Sequence, residues 1–284
     1  APVSARKYRQ IWTEQGSPLK VNVIQLAEKL QKKAGEDYLV IAAMRYGSPS
    51  LEQVLMKVKE YQPASIKVIP LYPHYASSTT GSVYEKVMIL VEKWESIPEI
   101  SFAGQFYSDP QYLESVVKKI LEHSLADYDH ILFSYHGLPY KQINKIHPGI
   151  DYKTCNCELA FPSHGTFCYR AAAYQTTRSL VEILNLDSGR YSTSFQSRFS
   201  SGWLAPFTDE VLKDLIGQGK RKVLVVSPSF TADCLETLHE IGEEYRQLFI
   251  SSGGERLDLV SSLNYDEKWV EALAGIAGIP KSYG

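Results

Sequence analysis

The sequence predicts an α/β fold of two units, each a parallel sheet flanked by helices. Three observations carry this. Short runs rich in Val, Ile and Tyr alternate with longer amphipathic runs, the pattern of repeated strand–helix–strand units. The strand candidates are short and almost continuously apolar, as strands buried on both faces are. The chain has 284 residues, 44% of them hydrophobic and 22% charged, enough for two cores of ordinary size.

A helix-like run opens the chain at 5–14. A helix follows at 21–35, a strand at 38–44 (YLVIAAM) and a helix at 50–61. Next come a strand at 66–72 (IKVIPLY), a helix at 81–96, a strand at 100–106 (ISFAGQF) and a helix at 111–126. The segment 124–129 (SLADYD) reads as a link, because it separates a helix from a fresh buried strand. Beyond it lie strands at 130–135, 192–196, 223–227 and 257–261, and helices at 169–184, 209–217, 232–250 and 266–277. Three strands precede the link and four follow it, so the first unit reads as lacking its first strand. The expected division is 1–126, 127–265, and a closing segment 266–284 that packs back on the first unit.

Several classes are excluded. With 30 basic and 32 acidic side chains the chain has no basic field, which argues against a nucleic-acid partner. No apolar run approaches the roughly 20 residues a membrane-spanning helix needs. Four cysteines are too few for a disulfide scaffold of this size, so reduced thiols and a cytoplasmic setting are expected.

Ligands of open parallel sheets bind beyond the carboxyl ends of the strands. After 66–72 comes a hydroxyl-rich loop, Ser77-Ser78-Thr79-Thr80, ahead of a helix. Its side chains either cap that helix or aim donors at an anion. After 130–135 comes His136-Gly137-Leu138-Pro139, which places an imidazole at a strand-to-loop transition. It is either a base or metal ligand, or a hydrogen-bonded structural residue. After 223–227, at 100° per residue, Asp233, Glu236 and Glu240 fall on one helical stripe. That stripe is either a solvated face or a carboxylate row beside a cleft. After 192–196, Trp203 on a Gly-containing loop is either a wall for a flat ligand or cover for a junction. Cys155, Cys157 and Cys168 cluster without the spacing of a zinc knuckle, with His147 and His164 nearby.

Taken together these segments resemble the ferrochelatase family over nearly the whole chain. The resemblance runs from Ile11-Trp12-Thr13-Glu14-Gln15-Gly16-Ser17-Pro18-Leu19 and Ala43-Met44-Arg45-Tyr46-Gly47 to Leu71-Tyr72-Pro73-His74-Tyr75 and Ser78-Thr79-Thr80-Gly81-Ser82. It continues through Phe133-Ser134-Tyr135-His136-Gly137-Leu138-Pro139, Phe195-Gln196-Ser197-Arg198-Phe199, Trp203-Leu204 and Asp233-Cys234-Leu235-Glu236-Thr237-Leu238. It implies two Rossmann-like domains of the chelatase fold with a porphyrin cleft between them. It also implies a lyase that inserts Fe²⁺ into protoporphyrin IX, the last step of haem biosynthesis.

By position, His136 and Glu236 match the family's catalytic pair and metal contacts, with Asp233 and Glu240 as an acidic path beside them. Arg45, Tyr75, Ser77 and Thr79 match the porphyrin surround, and Gln196, Ser197 and Trp203 the second-domain wall. The implied partners are the porphyrin and ferrous iron, which is a substrate, so no resident cofactor is required. Peripheral contact with the inner membrane is expected, and the oligomeric state is left open. A subset of bacterial relatives holds a [2Fe–2S] cluster through cysteines in the stretch that here carries Cys155, Cys157 and Cys168. Their further cysteine after Cys-Tyr-Arg is absent here, where Ala172 and Ala173 stand.

Overall fold

The computed structural model describes residues 2–147 and 149–280, with side chains from residue 6 on. The last four residues of the predicted closing segment, 281–284, lie outside the described residues. In chain order the elements are α1 (Pro2–Ile11), α2 (Pro18–Ala34), α3 (Leu51–Glu60), β1 (Ser65–Val68), α4 (Ser82–Val91), β2 (Glu99–Phe102) and α5 (Pro110–Ile120). They continue with β3 (His130–His136), α6 (Tyr140–Asn144), α7 (Tyr169–Leu184), β4 (Tyr191–Gln196), α8 (Thr208–Gly217), β5 (Lys222–Val226), α9 (Arg246–Ser251), β6 (Arg256–Leu259) and α10 (Glu267–Ala277). Two π-helical segments, Ser77–Gly81 and Glu236–Tyr245, lead into α4 and α9.

Local chemistry sets the helix starts. Pro18 and Pro110 supply a preset φ in the first turns of α2 and α5. Ser50 and Gln53 close a capping box on α3. Asp109 Oδ1 accepts from the backbone N–H of Gln111 and Tyr112, at 2.9 and 3.0 Å. Asp266 caps α10 by accepting from Lys268 N–H, which sets the start one residue after the predicted one.

The second half carries a four-stranded parallel sheet in the order β4-β3-β5-β6. Its central strands are buried on both faces. Ile131, Phe133 and Tyr135 of β3 join the large core cluster, which also takes Trp269 of α10. Leu132 points the other way, into a cluster with Val223, Val225, Leu212 and Phe249. This two-sided burial is why these strands were legible as continuous apolar runs.

The first half differs from the prediction. Its sheet has two strands, β1 and β2, paired in parallel over four residues each. The expected strand 38–44 forms no ladder; only Met44 makes an isolated bridge, to Ser50. The expected strands 66–72 and 100–106 are cut to β1 and β2. Past Val68, whose carbonyl accepts from Ala103 N–H at 2.9 Å, Pro70 and Pro73 bring no N–H to extend pairing. The flank of β1 away from β2 opens on a cavity of about 1030 Å³ whose walls include 38–45, 65–72, Leu26, Val54 and Leu55. α10 packs on α2 and α5.

Two buried histidines tie stability to pH. His74 is 2% exposed, with Nε2 2.9 Å from Thr176 Oγ1 and the ring stacked on Tyr107. Burial pushes its pKa down to about 3. His130 bonds Ser192 Oγ at 2.9 Å, and burial, then repulsion from Lys220, pushes it down to about 4. Both rings are neutral in the fold and protonate first in the unfolded chain. Their contribution is therefore complete above pH about 6.5 and drains away as pH falls toward 4 and 3, with about 2–3 kcal/mol per ring gone by pH about 4.5. Urea midpoints at pH 7 and 4.5 measure this. His74→Phe keeps the ring and cannot charge, so its pH slope should be shallower than wild type; an unchanged slope would remove His74 from the account.

Candidate active site

His136 is the last residue of β3, at the carboxyl end of the central sheet. Its Nδ1 lies 2.6 Å from the Gly137 carbonyl oxygen, a contact that requires the proton on Nδ1. Nε2 is thereby left with its lone pair, the form that accepts a proton or binds a cation. The ring is flanked by Trp203 and Phe230, at centroid distances of 6.3 and 6.1 Å. His136 N–H donates to Ser229 Oγ at 3.2 Å. Gly137 has to be glycine: a Cβ would lie 2.8 Å from the Gln196 carbonyl oxygen and 3.3 Å from Trp203.

Glu236 opens the π-helical segment after β5. Burial, followed by the charge of this carboxylate, pushes the Cys234 thiol well above its ordinary value. Tyr72 is raised by burial, then by Tyr46, Cys234 and Glu236. His136 and Glu236 line the same cavity, the one that runs along β1, together with Arg45, Thr79, Tyr72 and Cys234.

The predicted stripe of three carboxylates is corrected. An α-helix from Ala232 would align them, but the chain turns irregularly through Asp233 and Cys234 and then adopts π geometry. Asp233 is 8% exposed and lies outside the cavity wall. Its carboxylate accepts from Ser262 N–H (3.1 Å), the Asn264 amide (2.7 Å) and the Thr237 hydroxyl (3.2 Å). Glu240, also off the wall, accepts from Ser197 N–H (2.8 Å), Ser197 Oγ (2.5 Å), Tyr245 OH (2.8 Å) and the Gln196 amide (3.3 Å). Two of the three carboxylates are thus consumed by protein donors, and Glu236 alone of them reaches the cavity.

Gln196 and Ser197 are corrected likewise, from substrate wall to bracket. Gln196 is 1% exposed. Its carbonyl accepts from Gly137 N–H at 2.8 Å, and its amide donates to the Glu236 carbonyl at 2.9 Å. One buried residue therefore fastens the strand end that bears His136 to the helix start that bears Glu236. Ser197 holds φ at 62°, a left-handed conformation that turns both its N–H and its hydroxyl onto Glu240.

Among the other predicted residues, Arg45 donates Nε to Ser82 Oγ at 2.8 Å and lines the cavity. Thr79 lines it too, whereas Tyr75 and Ser77 do not. Tyr75 packs edge-on against Phe167, at 5.4 Å. The hydroxyl-rich loop makes no side-chain cap on its helix. Trp203 stands behind His136 and is not part of the wall. Cys155, Cys157 and Cys168 are buried away from it. Sequence reasoning did not single out Tyr72, Ser229 and Phe230, which line the cavity. Their signal was position, since each lies at or just beyond the end of a strand run.

A family profile described as Ferrochelatase matches residues 1–278. Curated ferrochelatases are similar along nearly all of the chain. One from Legionella pneumophila is 38% identical over 277 residues, covering 97% of this chain and 82% of its own. One from Coxiella burnetii is 39% identical over 280 residues, covering 96% of this chain and 77% of its own. Among solved structures, SirB from Bacillus subtilis with Fe³⁺ has a TM-score of 0.59 at 14% identity, covering 93% of this chain and 90% of its own. A sirohydrochlorin chelatase SirB in complex with cobalt has a TM-score of 0.59 at 16% identity, covering 94% of each chain. These two establish likeness of fold.

Proposed function

Since the chain belongs to the ferrochelatase family, whose members insert ferrous iron into a porphyrin to make haem, we propose that His136 and Glu236 carry that reaction in the cavity they share. The observation that supports this most is the imidazole itself. Its Nδ1 is committed to the Gly137 carbonyl, which leaves Nε2 as the one basic nitrogen of that ring. A free porphyrin carries protons on two of its pyrrole nitrogens, and both must leave before iron binds all four. His136 Nε2 takes a proton as iron replaces it, and Glu236 serves as the second acceptor and as a contact for incoming Fe²⁺. Gln196 keeps the two in register, and Trp203 and Phe230 fix the ring of the base.

We take the two sheets to belong to units 1–126 and 127–265, with the macrocycle between them. Protoporphyrin IX suits the cavity wall better than a ring bearing many carboxylates. Arg45 and Lys67 are its basic side chains among the described residues, and its remaining wall is largely aliphatic and aromatic. Arg45 and Thr79 are placed to meet propionates. No described helix is long and apolar enough to cross a membrane. We place the enzyme in the cytoplasm with a peripheral membrane contact, because both ring and product are apolar. Tyr8 and Trp12, exposed on and just after α1, support this.

An anaerobic insertion assay tests the reading. Wild type should form haem from Fe²⁺ and protoporphyrin IX, and Glu236→Gln should lower kcat about tenfold to a hundredfold. Insertion into sirohydrochlorin with none into protoporphyrin would sink the choice of ring. A Glu236→Gln enzyme as fast as wild type would sink the role of that carboxylate.

A further inference from the structure

Residues 145–168, between α6 and α7, hold no regular element among the described residues. Loops of that length inside a compact fold are usually clipped or functional. This one is packed: Tyr152 stacks on Tyr140 at 4.0 Å, Phe161 on Tyr107 at 6.3 Å, and Phe167 meets Tyr75. Within it His147 is 2% exposed, and neither ring nitrogen has a hydrogen-bond partner among the described residues. A buried imidazole with both nitrogens unpaired is costly unless a further group takes a lone pair. The His164 ring lies 4.7 Å away, and His164 Nε2 is 3.4 Å from Cys155 Sγ. One ligand atom from each of His147, Cys155 and His164 falls within 4.8 Å of the other two.

The three cysteines do not fit a four-thiolate iron–sulfur cluster. Cys157 Sγ accepts from Arg170 Nη1 at 2.7 Å, and Cys168 Sγ accepts from Ala171 N–H at 3.4 Å as the cap of α7. No fourth cysteine lies in the stretch.

We propose that His147, Cys155 and His164 form a mononuclear zinc site, separate from the cavity of His136 and Glu236, that pins the 145–168 loop. Two imidazoles and one thiolate are donors that zinc prefers, with water completing the tetrahedron. Bonds of about 2.0–2.3 Å set tetrahedral ligand atoms roughly 3.3–3.7 Å apart. The Cys155–His164 distance already meets this, and His147 closes by a small shift. The ion would cross-link three points of a loop whose Phe167 backs Tyr75.

The test is Co²⁺ titration of the full chain after chelator treatment, without oxygen. One equivalent should give a thiolate-to-cobalt charge-transfer band that Zn²⁺ erases. The band should survive in Cys157→Ser, Cys168→Ser, Cys234→Ser and His136→Ala, vanish in Cys155→Ser, and need at least tenfold more cobalt in His147→Gln and His164→Gln. Zinc should also slow tryptic cutting after Lys145 and Lys153 in wild type, a readout that needs no variant to fold. No thiolate band, a band that follows Cys234, or unchanged proteolysis would overturn the proposal. So would iron–sulfur absorbance lost in Cys157→Ser and Cys168→Ser but kept in His147→Gln.

Discussion

His136→Ala should lower kcat for iron insertion by about a thousandfold while porphyrin binding changes less than about threefold. General bases contribute roughly 10²–10⁴ in rate. Here the loss should exceed the lower end of that range, because the ring is both base and candidate metal contact. Binding should survive because the contacts of a macrocycle spread over a long apolar wall, of which one imidazole is a small part. Porphyrin fluorescence quenching gives the affinity, and single-turnover haem formation gives the rate. Wild-type turnover in the variant would take His136 out of the reaction. Equal losses in binding and rate would make it a packing residue instead.

Asp233→Ala should destabilise the fold by about 3 kcal/mol, with kcat per folded molecule reduced less than about tenfold. The substitution strands the Ser262 N–H and the Asn264 amide, while the Thr237 hydroxyl keeps the Cys234 carbonyl as an acceptor at 3.2 Å. Each buried unpaired donor costs about 1–3 kcal/mol before relaxation. Asp233→Asn keeps the shape and separates two roles. If the carboxylate lay on a proton path, Asn would abolish turnover and leave the urea midpoint near wild type. As a bracket, it should move stability more than turnover.

What was legible in the sequence was whatever two-sided burial or local chemistry fixes. The runs HILFSY and VLVV read as central strands because nothing but a sheet interior tolerates them, and both are nearly unexposed. Helix α7 was bounded correctly at Tyr169 and Leu184. The strand at 38–44 was not realised, because an apolar run reports a preference for burial and not the presence of a partner edge. The helix predicted from Ala232 failed at its start, since the chain is irregular through Asp233 and Cys234 and periodicity at 100° assumes an unbroken α-helix. That irregular start removed Asp233 from the stripe. The placement of His136 and Glu236 on one cavity was foreshadowed by their positions after β3 and β5. Gln196 was misread because a buried amide and a cleft amide look alike in a sequence. The sequence set His147 and His164 near the three cysteines, but which cysteine lies beside them was not legible, as their separations match no standard ligand spacing.

The two sheets give the cleft unequal mechanical character. β3, which bears the imidazole, is paired with β4 over Ile131–His136 and with β5 over His130–Phe133, and its apolar side chains are locked into two cores. The facing side rests on a two-stranded ribbon with four rungs and open space along one flank. Ribbons of that size resist load poorly by themselves. In the proposed binding mode, a flat ring pressed between them meets an anvil on one side and a spring on the other. Puckering of the macrocycle is then set by how far the spring yields, so stiffness added near β1 changes the work done on the ring without touching the residues that receive its protons.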